Sequence, residues 1–397
     1  MLKILATLLL VARTVKPTGK TTQSEQYADP GRVLEGKRKR KRNNEFTSYY
    51  GRPVLKKAHW VWQIWFYFWI GGIAAGASAI TAIIKLVGDP ERDRPIIRAG
   101  HYISLVGLMV SPVLLILDLQ RPERFLHMLR ILKLRSPLSL GTYLLTATGV
   151  LSGLNAARQL VEDGIVPEKS LAGKLALLLG NDVTSVLQGV GGLGVGSYTG
   201  VLLSATATPL WIEGDITMGP LFISSAFSTG AASISLACAL SNVNVEDLHR
   251  LDRIEQTAML SELAMLGLWA YRMKPQVRKF LTEGEYRNFM GATIGLAMVG
   301  PLAMQTFGPK HGPLTRALNI LTSLMVLTGG FLLRYTIVEA GKASTEDADA
   351  YHSITRGRAR PTPAEQAAAG AKIGYVPPND EFVKRAFDHI NEEINHG

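Results

Sequence analysis

Residues 189–211 read GVGGLGVGSYTGVLLSATATPLW. Gly192, Gly196 and Gly200 recur every fourth residue, which places all three on one face of a helix. Tyr198 stands among them in a segment long and apolar enough to cross a bilayer. A bare helical groove with one phenol beside it would admit either a flat ligand or a closely packed neighbouring helix. The segment also fixes the fold class, because blocks of the same kind recur along the chain.

The 397 residues are 47% apolar, and mean hydropathy is positive. The apolar residues collect in blocks of about 20, the length that crosses roughly 30 Å of hydrocarbon. Working outward from 189–211, spans are expected at 61–84, 97–117, 139–161, 184–206, 217–240, 254–273, 287–306 and 314–338. The first opens on Trp60, Trp62, Trp65 and Tyr67, read as an interfacial aromatic belt. Small residues line the spans where helices must approach closely: Gly72 and Gly76 in the first, Ser224, Ser228 and Ala232 in the fifth, Gly291 and Gly295 in the seventh. Residues 1–58 form a basic polar arm, 59–340 the membrane domain and 341–397 a soluble tail. In the tail, Asp380 would cap a helix carrying Val383, Phe387, Ile390 and Ile394 on one stripe.

The formal charge of +11 lies mostly in tails and loops. The run Lys37-Arg38-Lys39-Arg40-Lys41-Arg42 beside a membrane span points to anionic lipid rather than nucleic acid. The apolar start MLKILATLLL is too short and lacks the cleavage pattern of a signal peptide, so it reads as part of the tail. An even number of spans puts both termini on one face. The loops on that face carry Arg121, Arg124, Arg130, Lys133, Arg135, Lys274, Arg278 and Lys279, so the positive-inside rule makes the termini cytoplasmic in a bacterial inner membrane.

The single cysteine, Cys238, excludes a disulfide framework and a protein-bound iron–sulfur cluster. Of eight histidines only His101 falls inside a span, so paired axial ligands for haem are missing. No Walker A loop, HExxH or placed dinucleotide fingerprint occurs, and no metal-ligand set is expected.

Alternation of the spans brings Gln63, Asp118, Arg121, Tyr143 and Tyr198 from four helices toward the terminal face. A phenol, an amide and a carboxylate suit the two oxygens of a quinone and the protons it exchanges. The same spacing also fits a packed core tyrosine and an interfacial glutamine. Glu262 lies near mid-depth of the sixth span, where a carboxyl is costly unless neutral, paired or hydrated. It suggests a proton path, with Arg253 and Glu255 near the mouth of the same helix on its other face, and Asn155 and Gln188 as candidate partners for Glu262. Helix–helix glue is the other reading of Glu262.

GGIAAGAS in the first span, DLQRPERFLHMLRILKLRSPLSLGTY after the second, SYTGVLLSATATPLW, SSAFSTGAA and LLRYTIVEAG together resemble the polysulfide reductase membrane-subunit family (NrfD/PsrC) over about residues 46–342. The lead-in EFTSYYGRPVLK resembles actinobacterial-type members that accompany a molybdopterin oxidoreductase. The resemblance implies an all-α integral membrane protein with eight transmembrane helices packed as two four-helix bundles. It implies no redox centre, haem or iron–sulfur cluster in the chain itself. Menaquinone or ubiquinone would be the bound substrate. The partners implied are a ferredoxin-like iron–sulfur subunit and a molybdopterin catalytic subunit of formate or polysulfide type. Tyr198 matches the family's quinone-contacting tyrosine, Gln63 or Ile64 the polar residue of the first helix, and Arg253 an arginine linked to a proton route. Family members dock their partner on the outer face, on the side of their termini, whereas the basic loops here argue for an inward-facing complex. A secondary transporter or proton channel, and a purely structural anchor, are the rival readings.

Overall fold

The computed structural model describes residues 55–89, 91–119, 121–133, 136–241, 243, 249–309 and 313–355. The basic run at 37–42 and the amphipathic segment at 380–394 lie outside the described residues. Everything described is helix, turn or loop. In chain order the helices are α1 (Trp62–Val87), α2 (Arg94–Asp118), α3 (Phe125–Arg130), α4 (Pro137–Glu162), α5 (Leu171–Leu179), α6 (Asp182–Ser204), α7 (Pro209–Ile212), α8 (Asp215–Leu240), α9 (His249–Arg272), α10 (Pro275–Thr282), α11 (Glu285–Phe307), α12 (Pro313–Ser344) and α13 (Ala348–Thr355).

Six of these are long and apolar enough to cross a membrane: α1, α2, α6, α8, α11 and α12. This corrects the expected count of eight. The two that fall short are α4, at 26 residues, and α9, at 24. Both have the length, but α4 carries Asn155, Arg158, Gln159 and Glu162 in its second half. Along α9 lie Arg250, Asp252, Arg253, Glu255, Glu262 and Arg272, which break up its apolar run. The protein is an all-α, multi-pass inner-membrane protein with two additional long, more polar helices.

Contacts group α1, α2, α4 and α6 on one side and α8, α9, α11 and α12 on the other, joined where α1 and α6 meet α8. The centre is α1, which packs on α2, α6 and α8, while α8 in turn carries α9 and α12. Small residues make this approach possible. A Cβ on Gly76 would lie 1.9 Å from the Ala226 carbonyl oxygen, and one on Gly230 2.7 Å from the backbone of Gly76 and Ala77. Backbones therefore touch where α1 crosses α8, which only glycine permits. The stripe on α6 behaves likewise: a Cβ on Gly192 would meet the Ala75 carbonyl at 2.6 Å, and one on Gly200 the Met218 carbonyl at 2.4 Å. The groove read at 189–211 is thus filled by neighbouring helices. Gly291 and Gly295 differ, because an added Cβ at either meets nothing within 4 Å. Their expected packing role is absent among the described residues.

Polar contacts define two ends of the assembly. At one end Lys342 Nζ, late in α12, donates to the Trp60 carbonyl at 2.7 Å. Trp60 stacks on Trp211 of α7 with centroids 4.9 Å apart, and Trp211 Nε1 donates to Ile337 O at 2.7 Å. The aromatic belt is therefore only partly interfacial: Trp62 is exposed, whereas Trp65 and Tyr67 are buried. At the other end Arg250 pairs with Asp93 at 2.7 Å, Arg98 with Asp163 at 2.8 Å and Lys85 with Asp182 at 3.1 Å.

Candidate functional site

Tyr198 stands on α6, well past the capping box formed by Asn181 and Thr184 at its start. Its ring lies against Gly141 of α4, where a Cβ would sit 2.1 Å from ring carbon Cε2. Tyr67 of α1 is fully buried, and its hydroxyl is 3.1 Å from that of Tyr198. Two phenols in contact share one proton between their oxygens and keep one to spare. Since Tyr67 is enclosed and Tyr198 half-buried, the spare donor belongs to Tyr198.

Gln63 lies one turn before Tyr67 on the same face of α1, about 5 Å along the axis. Its Oε1 is buried without a hydrogen-bond partner. Asp118, the last residue of α2, takes a backbone hydrogen bond from Val61 at the start of α1. His59 and Lys342 act on it electrostatically, and its Oδ1 is also buried and unpartnered. Gln63 and Asp118 thus present two acceptor oxygens at the first turn of α1. Arg121 is exposed at the start of the 3₁₀ turn after α2. The Tyr143 hydroxyl donates to Leu129 O at 2.6 Å, so its proton pins α3 to α4 and is not free for a ligand.

The second expected cluster lies deeper. Glu262 is fully buried, and its Oε2 accepts from Ser228 at 2.8 Å. Ser225 also bonds it, and Arg334 of α12, itself 1% exposed, donates to Ser225 Oγ and to Gly330 O at 3.0 Å. The guanidinium lies over the Phe222 ring, 5.6 Å from its centroid. A Cβ on Gly72 would come within 2.9 Å of Arg334 Nη2, so the glycine leaves room for the cation. Glu255 is buried as well and bonds Gln305 of α11. Seven residues apart, Glu255 and Glu262 share a face of α9, which corrects the expectation that they lie on opposite faces. Arg253 is on the exposed side, away from both. Asn155 and Gln188 are not partners of Glu262. They bond each other at 2.8 Å, with Thr184 and Ser78 extending a separate polar network across α4, α6 and α1.

Residues 54–345 match the family model described as polysulphide reductase, NrfD. The chain belongs to the NrfD polysulphide reductase family. Over 304 residues it is 29% identical to the C subunit of polysulfide reductase from Wolinella succinogenes, a match spanning 71% of this chain and 94% of that protein. It is accordingly a membrane subunit of an NrfD-type respiratory oxidoreductase. Among the described residues of this NrfD-family subunit, no group of three or more His, Cys, Asp or Glu side chains is placed to hold a metal ion.

Tyr67 and Arg334 escape a reading of the sequence. Tyr67 is hidden in a run of aromatics that resembles an interfacial belt. Arg334 carries a signal of its own, since an arginine inside an apolar helix is expensive unless paired. Its sequence neighbours FLLRYTIV give no hint that it bonds Ser225 of α8 and senses the charge of Glu262 on α9.

Proposed function

We propose that this NrfD-family subunit is the quinone-reactive anchor of its complex. In this reading a quinol or quinone binds beside Tyr198 at the α1 start. Electrons pass between it and a docked ferredoxin-like iron–sulfur subunit, which serves a molybdopterin catalytic subunit. The observation that carries this is the Tyr67–Tyr198 hydroxyl pair, with Tyr67 one helical turn along α1 from Gln63, whose Oε1 is unpartnered. Tyr198 donates to one quinone oxygen. The orphan oxygens of Gln63 and Asp118 accept from the hydroxyl of the reduced form. Oxidation of one quinol releases two electrons to the iron–sulfur partner and two protons, and Asp118 is the one carboxylate of the set that can take up a proton on its way to water. Arg121, exposed at this end, faces the docked partner, and Tyr143 holds the α3 loop in place. Glu262 and Glu255 on the inner face of α9 supply a proton-exchanging line toward the opposite end.

Replacing Tyr198 with Phe in the assembled complex tests the reading. Quinol-coupled turnover should fall while electron transfer from an artificial donor to the catalytic subunit continues. Unchanged quinol turnover, or a purified complex with neither bound quinone nor sensitivity to quinone-site inhibitors, would instead make the chain a structural anchor.

A further inference from the structure

α5, Leu171–Leu179, reads LAGKLALLL and sits between two of the long helices. Ser170 caps it, its side chain accepting the Gly173 N–H at 3.0 Å. One side of the helix is fastened to the protein. A Cβ on Gly173 would lie 2.3 Å from the Pro167 carbonyl and one on Gly180 2.5 Å from that of Leu154, while Arg158 Nη1 donates to Gly180 O at 2.9 Å. The other side is bare. Leu171, Leu175, Leu178 and Leu179, spaced as one helical face, are all exposed, Leu171 at 76% and Leu178 at 69%.

Four exposed leucines on one short helix need a cover, and the surroundings say which. The helix is tied to the charged rim at its end of the assembly, where Arg158 pairs with Glu162 at 2.7 Å, Arg98 with Asp163 at 2.8 Å and Lys85 with Asp182 at 3.1 Å. Such a rim marks the level at which the protein leaves hydrocarbon for headgroups and water. Past Gly180 the chain enters α6, a helix apolar enough to cross the bilayer, whose Val183, Leu187 and Val190 are also exposed. At nine residues α5 is about 14 Å long, under half the roughly 30 Å of a hydrocarbon core, so it cannot itself span. Lys169 and Lys174, both exposed, flank the leucines and suit anionic lipid phosphates.

We infer that α5 is an interfacial anchor. Its Leu171–Leu175–Leu178–Leu179 face is seated in the bilayer at the boundary of headgroups and acyl chains, at the end of the protein away from Tyr198. It fixes the height and tilt of α6, the helix that carries Tyr198, by holding its N-terminal end in the membrane surface.

The test uses the full-length protein in bilayers of phosphatidylcholine and phosphatidylglycerol. A nitroxide is placed on a cysteine at Leu178 (L178C) and, in a separate variant, at Leu175 (L175C); the native Cys238 is buried and free. Collision with membrane-dissolved oxygen should exceed collision with a water-soluble nickel complex at both positions. The depth should fall within about 5–10 Å of the headgroup boundary. Nickel access exceeding oxygen access would place the face in water. Shielding from both reagents would mean that a partner subunit or a second copy covers it. A label at mid-bilayer depth would make α5 re-entrant. Any of these three overturns the proposal. If one variant fails to assemble, the other reads the same face.

Discussion

The hydroxyls of Tyr67 and Tyr198 meet at 3.1 Å, joining α1 to α6. The contact orients Tyr198 by filling one of its oxygen's bonding positions from the buried side. The face directed away from α1 keeps a donor.

Tyr67→Phe should therefore leave Tyr198 in place but less constrained. A hydrogen bond of this kind contributes about 0.5–1.5 kcal/mol, which corresponds to a roughly two- to tenfold change. The expected outcome is a rise of that size in KM for quinol, with kcat nearly kept, measured in the assembled complex. Tyr198→Phe should lower kcat/KM by a larger factor.

Gly141→Ala is the steric counterpart. In an ordinary helix, alanine would stabilise by about 0.5–1 kcal/mol relative to glycine. Here the added carbon lies 2.1 Å from the Tyr198 ring and must push it aside. Quinol turnover should fall about as far as in Tyr198→Phe, while the complex still assembles. Turnover at the parent level would show that the ring's position is unimportant.

Glu262 and Arg334 are both buried, interact electrostatically and are linked through Ser225, and this predicts an asymmetry. Leaving a buried charge without its counter-charge costs about 3–5 kcal/mol. A carboxyl can escape that cost by taking a proton, whereas a guanidinium cannot. Glu262→Gln should accordingly lower the melting temperature in detergent more than Arg334→Met does. The double variant should recover much of the loss, and equal, additive losses would mean that the two residues are uncoupled.

At the loop end, Asp347 pairs with Lys279 and accepts the backbone N–H groups of Asp349 and Ala350 at the start of α13. Partial burial works to raise its carboxyl. The Lys279 hydrogen bond, the backbone N–H groups and the Lys279 charge outweigh it, so the group is held below the ordinary carboxylate value. A depressed carboxylate stabilises the fold above its unfolded value, about 4, and that contribution is lost as pH falls through the lower folded value. Release of α13, read as proteolysis within that helix, should therefore increase below about pH 4. In Asp347→Asn it should be present already at neutral pH and independent of acid.

Much of this is legible in the amino-acid order. Long apolar blocks, glycine spacing and the S-Y-x-G and D-L-x-R-P motifs announce an all-α membrane protein of this family and single out Tyr198, because each is a property of one helix or one loop. The span count goes astray on α4 and α9. They have the length of spans, but Arg158 and Glu162 on one, and Asp252, Glu255 and Glu262 on the other, keep them too polar.

What the sequence by itself determined is the set of helices and their apolar or polar faces, since these follow from local periodicity and the hydrogen-bonding demands of a backbone in lipid. The tertiary structure alone decided the pairings. Gly192 and Gly200 press on neighbouring backbones while Gly291 and Gly295, on the same four-residue spacing, face open space. Gln188 goes to Asn155, Glu262 to Ser228 and Ser225, and Arg334 to Ser225. The physical reason is that a buried polar group is satisfied by whichever side chain the helix crossing brings within about 3 Å. That crossing depends on the small residues of every helix at once.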